Sequence, residues 1–259
     1  MKLADYPPQE PLSEAGQAYS VECWRRSEGI AYREAAYGAD PYQRVSVFDA
    51  QRPDGRILLF WHGGGWTSGY KEWLGFMAPA FTAAGVTFVS AGYRLAPQHV
   101  FPAALDDCLS ALHWVAQNLK GSVYIGGHSA GGHYAALIAA RGGASKVKGC
   151  LPISGVYEFG EGSGLTMRPR FLGRDAATDR LASPRYQLAA PLPPFLVAYG
   201  TEDFPHLIPQ AERFVEAVRA AGGRAEGLPM EGLTHFTASY AGGEAGGQWV
   251  GAALRFMGT

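Results

Sequence analysis

Apolar residues along this chain fall in short continuous runs separated by stretches of mixed character. The runs at Arg56–Trp61, 86–91, 122–126, Val147–Ile153 and 195–199 are apolar nearly throughout, the pattern of strands buried on both faces. Between them, apolar positions recur at helical spacing over 73–84, 103–119, 129–141 and 208–221. Strand and helix alternating in this order predict an α/β fold, a mostly parallel sheet with helices on both faces. Residues 44–50 alternate instead. The turn Arg52-Pro53-Asp54-Gly55 that follows predicts an antiparallel hairpin with Arg56–Trp61 at a sheet edge. A final strand over 224–230, a loop, and a helix around 247–256 complete the pattern.

Two segments stand outside the rhythm. Residues 1–43 are polar with Pro and Gly breaks, a lead-in with one short helix around Glu14–Ser27. Residues 155–194 separate two strands by about forty residues, where such connections usually take about 2–6 plus a helix. With Met167, Phe171 and Leu172 among polar neighbours, this stretch reads as an excursion over the C-terminal edge of the sheet, a small partial cap. No repeat or linker divides the chain, so one domain is expected over residues 1–259.

Where the 122–126 run meets the 129–141 helix stands Gly127-His128-Ser129-Ala130-Gly131, a G-x-S-x-G pentapeptide. A serine on a sharp strand-to-helix turn is held clear of the sheet, and flanking glycines let neighbouring backbone pass close by. The helix N-terminus behind it offers free N–H groups to a developing anionic oxygen. Ser129 is therefore the candidate nucleophile of a serine hydrolase. A hydroxyl needs a base to take its proton and an acid to orient that base. In hydrolases with this nucleophile turn the order is Ser, Asp or Glu, His, with the histidine after the last strand. Of seven histidines, His235 in Gly232-Leu233-Thr234-His235-Phe236 holds that place, and His206 is the runner-up. The acid should follow the 195–199 strand, in Gly200-Thr201-Glu202-Asp203-Phe204-Pro205. Asp203 is preferred to Glu202 because the later position leaves room for the turn after Gly200; Asp175 and Asp179 are weaker candidates. His62-Gly63-Gly64-Gly65-Trp66 follows directly on the strand Arg56–Trp61, where an HGGG loop supplies oxyanion donors. The expected donors are the backbone N–H groups of Gly64, Gly65 and Ala130. Trp66, Trp73, Phe159, Phe171 and Phe204 lie on segments that can wall the mouth of such a site, although each also suits a core position.

Charge narrows the partners. Twenty-two basic against 23 acidic residues leave a net charge of −1 with no long run of either sign, which argues against nucleic acid or a polybasic membrane contact. No stretch of eighteen apolar residues could span a bilayer, and the first residues carry no apolar leader core. Cys23, Cys108 and Cys150 form no C-x-x-C, so free thiols and a cytoplasmic location are expected. The histidines show no H-E-x-x-H spacing, and the chemistry calls for neither metal nor organic cofactor. A small-molecule substrate is the expected partner, with a homo-oligomer left open.

Together, His62–Trp66 (62–66), Tyr93-Arg94-Leu95-Ala96-Pro97, Phe101-Pro102-Ala103-Ala104-Leu105-Asp106-Asp107 and the Ser129 pentapeptide resemble the hormone-sensitive-lipase group of α/β hydrolases over about residues 56–141. A second resemblance, to kynurenine formamidases (arylformamidases) and their esterase relatives, covers more of the chain. It rests on Tyr37-Gly38, Gln43-Arg44-Val45-Ser46-Val47, Gly64-Gly65-Trp66-Thr67-Ser68-Gly69-Tyr70-Lys71, Ser154-Gly155-Val156-Tyr157, Ser183-Pro184 and His235-Phe236. Both imply the α/β-hydrolase fold and a triad of Ser129, Asp203 and His235, with 93–97 and 103–107 mainly scaffold. Two positions depart from the formamidase pattern. Gly65 stands where vertebrate-type formamidases carry a bulkier residue, and Thr234 where an acidic residue often precedes the histidine. The expected activity is cleavage of small carboxylic esters through an acyl-serine. Cleavage of an N-formyl aromatic amide by the same triad is the alternative, and a non-catalytic receptor on a hydrolase fold the remote one.

Overall fold

The apolar runs pair into one eight-stranded sheet in the computed structural model, which describes residues 3–142, 147–165, 167 and 169–258. The strands are β1 (Arg33–Ala36), β2 (Arg44–Phe48), β3 (Arg56–Trp61), β4 (Thr87–Ala91), β5 (Ser122–His128), β6 (Val147–Ile153), β7 (Phe195–Glu202) and β8 (Ala225–Thr234). Their order is β1-β2-β4-β3-β5-β6-β7-β8. From β4 to β8 every neighbouring pair is parallel, and β1 and β2 add antiparallel at one edge. The helices are α1 (Glu14–Ser27), α2 (Ala78–Ala83), α3 (Ala103–Asn118), α4 (Ala130–Ala140), α5 (Ala177–Ala182), α6 (Leu207–Ala220), α7 (His235–Tyr240) and α8 (Gln248–Gly258).

Alternation along β3 builds two cores. Ile57, Leu59 and Trp61 face the side covered by α3, α4 and α6, while Leu58 and Phe60 face α1, α2 and α8. The helix α6 shows the matching stripe: Leu207, Ala211, Phe214, Val215 and Val218 are buried at i, i+4, i+7, i+8 and i+11. Burying each large member of such a stripe stabilises the fold by about 1.5–3 kcal/mol. Helix α4 lies in the middle of the sandwich and is buried along its whole length. Among the described residues no helix is long and apolar enough to cross a membrane.

Three local expectations change. The hairpin of β2 with β3 does not form: β4 lies between them, antiparallel to β2 and parallel to β3. The turn chemistry at 52–55 reverses the chain, but β4, buried at every residue, takes the inner place beside β3. The stretch 73–84 opens as a 3₁₀ turn over Lys71–Met77 before α2 begins, with Pro79 in the first turn of α2. The last strand continues to Thr234, leaving no loop before His235. Gly200 permits this, because a Cβ there would lie 1.9 Å from the Leu233 carbonyl oxygen. The ends of β7 and β8 thus converge, with Glu202 opposite Thr234.

The excursion after β6 contains α5 and a 3₁₀ turn at Pro184–Tyr186. Its Phe159, Phe171 and Leu172 are buried, and the Phe101 N–H donates to the Phe171 carbonyl at 2.9 Å. Cys23, Cys108 and Cys150 are buried free thiols.

Candidate active site

Ser129 sits between β5 and α4 at φ 54° and ψ −116°, a conformation that L-residues adopt only when the surroundings impose it. The surroundings are glycines. A Cβ on Gly127 would lie 2.2 Å from the Gly131 carbonyl carbon, and one on Gly131 would lie 2.1 Å from the Trp61 carbonyl oxygen. No other residue type fits either place, so the turn stays tight and the hydroxyl stands above the C-terminal edge of the sheet.

The convergence of β7 and β8 supplies its partners. The next residue after Glu202 is Asp203, and the next after Thr234 is His235. His235 Nε2 lies 3.0 Å from Ser129 Oγ, and His235 Nδ1 lies 2.8 Å from Asp203 Oδ1. With Nδ1–H donating to the carboxylate, the Nε2 lone pair faces the serine hydroxyl. Thr234 caps α7: its hydroxyl accepts from the Thr237 N–H, and the Thr237 hydroxyl accepts from the Thr234 N–H, a reciprocal capping box that fixes where His235 begins. Burial raises the Asp203 carboxyl. The His235 hydrogen bond and charge, with Ser154 and the Phe204 N–H, more than offset it and hold Asp203 below the usual carboxylate range. The Phe204 ring stacks on the His235 ring at 4.4 Å and 24°.

The glycine loop after β3 folds against this group. Gly64 and Gly65 have φ of 115° and 60°, and the Gly64 carbonyl accepts from the N–H groups of Thr67 and Ser68 at 3.2 and 3.0 Å. His62 shapes the loop as a neutral ring. Burial pushes its pKa down to about 4, Nδ1–H donates to the Gly63 carbonyl at 2.7 Å, and Tyr93 stacks on it at 4.4 Å. Ala130 opens α4, so its N–H has no partner within the helix. Gly64, Gly65, Ser129 and His235 share a cavity of about 350 Å³.

The cavity wall differs from the set of aromatics read from the sequence. Trp73 and Phe204 line it. Trp66, Phe159 and Phe171 do not; they pack on one another, with Trp66 stacked on Phe171 at 4.5 Å and tilted against Phe159 at 5.4 Å. The Trp66 N–H donates to His133 Nδ1 at 3.1 Å, which ties this aromatic cluster to α4. The wall also takes in Leu12, Gly16, Tyr19 and Arg170, which pattern reasoning passed over, together with Met167 of the excursion and Phe236. Arg170 pairs with Glu10, so the two segments outside the α/β rhythm meet at the mouth. The start of α1 carries one local signal, Ser13, whose hydroxyl accepts from the Gly16 N–H. The runner-up residues lie elsewhere. His206 precedes α6 with its ring stacked on Phe204, Glu202 is exposed, Asp175 lies before the start of α5 and Asp179 lies within it. Arg94 and Asp107, from the two scaffold motifs, form a two-pronged ion pair that ties the β4 end to α3.

A family model described as alpha/beta hydrolase fold matches residues 58–239. Esterase LipC of Mycobacterium tuberculosis is 29% identical over 246 residues, covering 82% of this chain. The chain spans 61% of that relative's length. Kynurenine formamidase of Danio rerio is 24% identical over 227 residues, covering 82% of this chain and 77% of its own. Among solved structures, the esterase of Pyrobaculum calidifontis matches with a TM-score of 0.76 at 24% identity, over 93% of this chain and 91% of that one.

Proposed function

The chain belongs to the alpha/beta hydrolase fold family, and on that premise we propose that it is a serine carboxylesterase acting on small esters. The observation that carries this reading is the relay from Ser129 Oγ to His235 Nε2 at 3.0 Å and from His235 Nδ1 to Asp203 Oδ1 at 2.8 Å, opening into a largely apolar cavity. His235 takes the hydroxyl proton as Ser129 Oγ attacks the ester carbonyl carbon, and Asp203 holds the imidazole in the required tautomer. The carbonyl oxygen becomes an oxyanion held by the N–H groups of Gly64, Gly65 and Ala130, donors worth about 3 kcal/mol of barrier each. His235 returns its proton to the leaving alkoxide; it then takes a proton from a water that attacks the acyl carbon and gives it to the departing Ser129 Oγ, releasing the carboxylic acid.

A cavity of about 350 Å³ walled by Leu12, Trp73, Met167, Phe204 and Phe236 suits an apolar or aromatic substrate of modest size. In this reading 155–194 acts as a partial cap and shares the mouth with the lead-in. Buried free thiols at Cys23, Cys108 and Cys150 support a reducing, cytoplasmic setting. The kynurenine formamidase relative, of which the chain spans 77%, supports a second reading, cleavage of an N-formyl aromatic amide by the same triad. Turnover of p-nitrophenyl acetate and butyrate, compared with N-formylkynurenine, separates the two. Ester turnover that disappears in Ser129→Ala is the expected result; a kcat/KM higher for the formamide assigns the second reading, and no turnover of either removes both.

A further inference from the structure

His128 belongs to no part of the mechanism above, yet it touches the residue on which that mechanism turns. It is the last residue of β5, fully buried, and it lines the cavity beside Ser129. Its Nε2 lies 3.0 Å from the backbone carbonyl of His235, and the two rings are 4.8 Å apart at 44°. On its other side Nδ1 meets the hydroxyl of Tyr19, at 3.4 Å, and that hydroxyl lies 2.8 Å from Ser239 Oγ. The carbonyl can only accept, which orders the whole chain. Nε2–H donates to His235 O, Tyr19 O–H donates to Nδ1, and Ser239 O–H donates to the Tyr19 oxygen. This ordering needs a neutral His128, and burial together with the neighbouring His235 brings its pKa down to about 3.

We propose that His128 is a positioning residue for His235, oriented in turn by Tyr19, so that the lead-in helix α1 is wired into the catalytic relay. The inference rests on the serine-hydrolase reading of Ser129, Asp203 and His235. His235 is held at three points. Its Nδ1–H goes to Asp203, its ring lies under Phe204, and its main chain is pinned by His128 as α7 begins. The first two fix the ring plane. The third fixes where the ring is hung, and a small displacement there moves Nε2 away from Ser129 Oγ at 3.0 Å. A neutral donor suits this place, because a cation 4.8 Å from the ring would oppose the imidazolium that forms during turnover.

The test compares two neutral amides that differ in where they carry the N–H. The glutamine side chain reaches the place of Nε2 and can still donate to His235 O; asparagine ends at the place of Nδ1 and cannot. With kcat on p-nitrophenyl butyrate normalised to the serine titrated by the initial burst, His128→Asn is expected to lose about tenfold in kcat with KM within about twofold. His128→Gln should recover most of that loss. Tyr19→Phe, which removes one hydroxyl and keeps the ring, should lose about threefold in kcat, and it decides the matter should His128→Asn not fold. A purely structural role would lower melting temperature and the titratable fraction while leaving normalised kcat unchanged in all three. Wild-type kcat in both His128→Asn and Tyr19→Phe overturns the proposal, as does a glutamine variant no better than the asparagine one. Absence of turnover in the wild-type chain would instead overturn the esterase reading beneath it.

Discussion

Alanine at Gly64 is expected to cost far more than alanine at Gly65, although the two are neighbours in one loop. Gly64 has φ +115°, and a Cβ there would lie 1.9 Å from the Ser68 carbonyl oxygen and 2.6 Å from its carbon. Both are backbone atoms. The turn cannot open to relieve them without weakening the hydrogen bonds from Thr67 and Ser68 N–H to the Gly64 carbonyl, at 3.2 and 3.0 Å. Gly65 has φ +60°, and nothing lies within 4 Å of its added Cβ. Left-handed backbone costs an L-residue about 1–2 kcal/mol, so Gly65→Ala should lower the melting temperature by about 2–8 °C and keep its N–H in place. Gly64→Ala carries strain of the same kind and also displaces the backbone that presents both amides. Loss of a single oxyanion donor lowers kcat by about 10²–10³, and that is the fall expected for Gly64→Ala. The assay is kcat on p-nitrophenyl butyrate per folded molecule, with calorimetric melting alongside. A Gly64→Ala enzyme within about threefold of Gly65→Ala in kcat would refute the assignment of this loop as the oxyanion site.

Phe171→Ala and Phe204→Ala should separate core from site. Phe171 is 1% exposed and stacked on Trp66, so its loss should cost about 3–5 kcal/mol of stability, read from denaturant unfolding. Phe204 is 44% exposed and stacked on His235, so its loss should spare stability and lower kcat/KM. Acid should destabilise the fold through its buried histidines. Burial holds His62, His128 and His133 at about 4, 3 and 4 against an ordinary 6.5. The unfolded chain takes up protons from 6.5 downward while the folded chain does not, so this stability is complete above 6.5 and lost as pH falls toward 4. A melting temperature that did not fall between about pH 7.5 and about pH 5 would contradict the neutral rings. Asp203→Asn should keep the site's shape while favouring the wrong imidazole tautomer, lowering kcat by about 10³–10⁴ with KM little changed, as stopped assays at high enzyme concentration can measure.

The parts legible in the sequence were those with a local cause. A strand buried on both faces must be apolar, as 57–61 is, and the tight turn at Ser129 must carry glycine at 127 and 131 because backbone passes within about 2 Å of where a Cβ would be. Strand order had no such cause. The turn at 52–55 is well formed for a reversal, but which strand lies beside β2 depends on β4, which arrives about forty residues later. The four-residue strand β1, with no residue fully buried, had no apolar signature at all. The cavity wall was hidden for a related reason. Tyr19 meets His128 across 109 positions of chain, and nothing in the polar lead-in marks which side of α1 it takes. Aromatic character alone did not separate Trp73, which lines the cavity of Ser129, from Trp66, which packs on Phe171 outside it.

The central claim is that Ser129 is the nucleophile and carries the acyl group. The direct measurement is mass spectrometry of the chain after reaction with a fluorophosphonate ester, with peptide mapping of the adduct. One phosphonyl group on the peptide containing Ser129, formed in step with loss of p-nitrophenyl butyrate turnover and absent from Ser129→Ala, is the result this account predicts. A fully inactivated enzyme labelled at another residue, or an active Ser129→Ala variant, would contradict it.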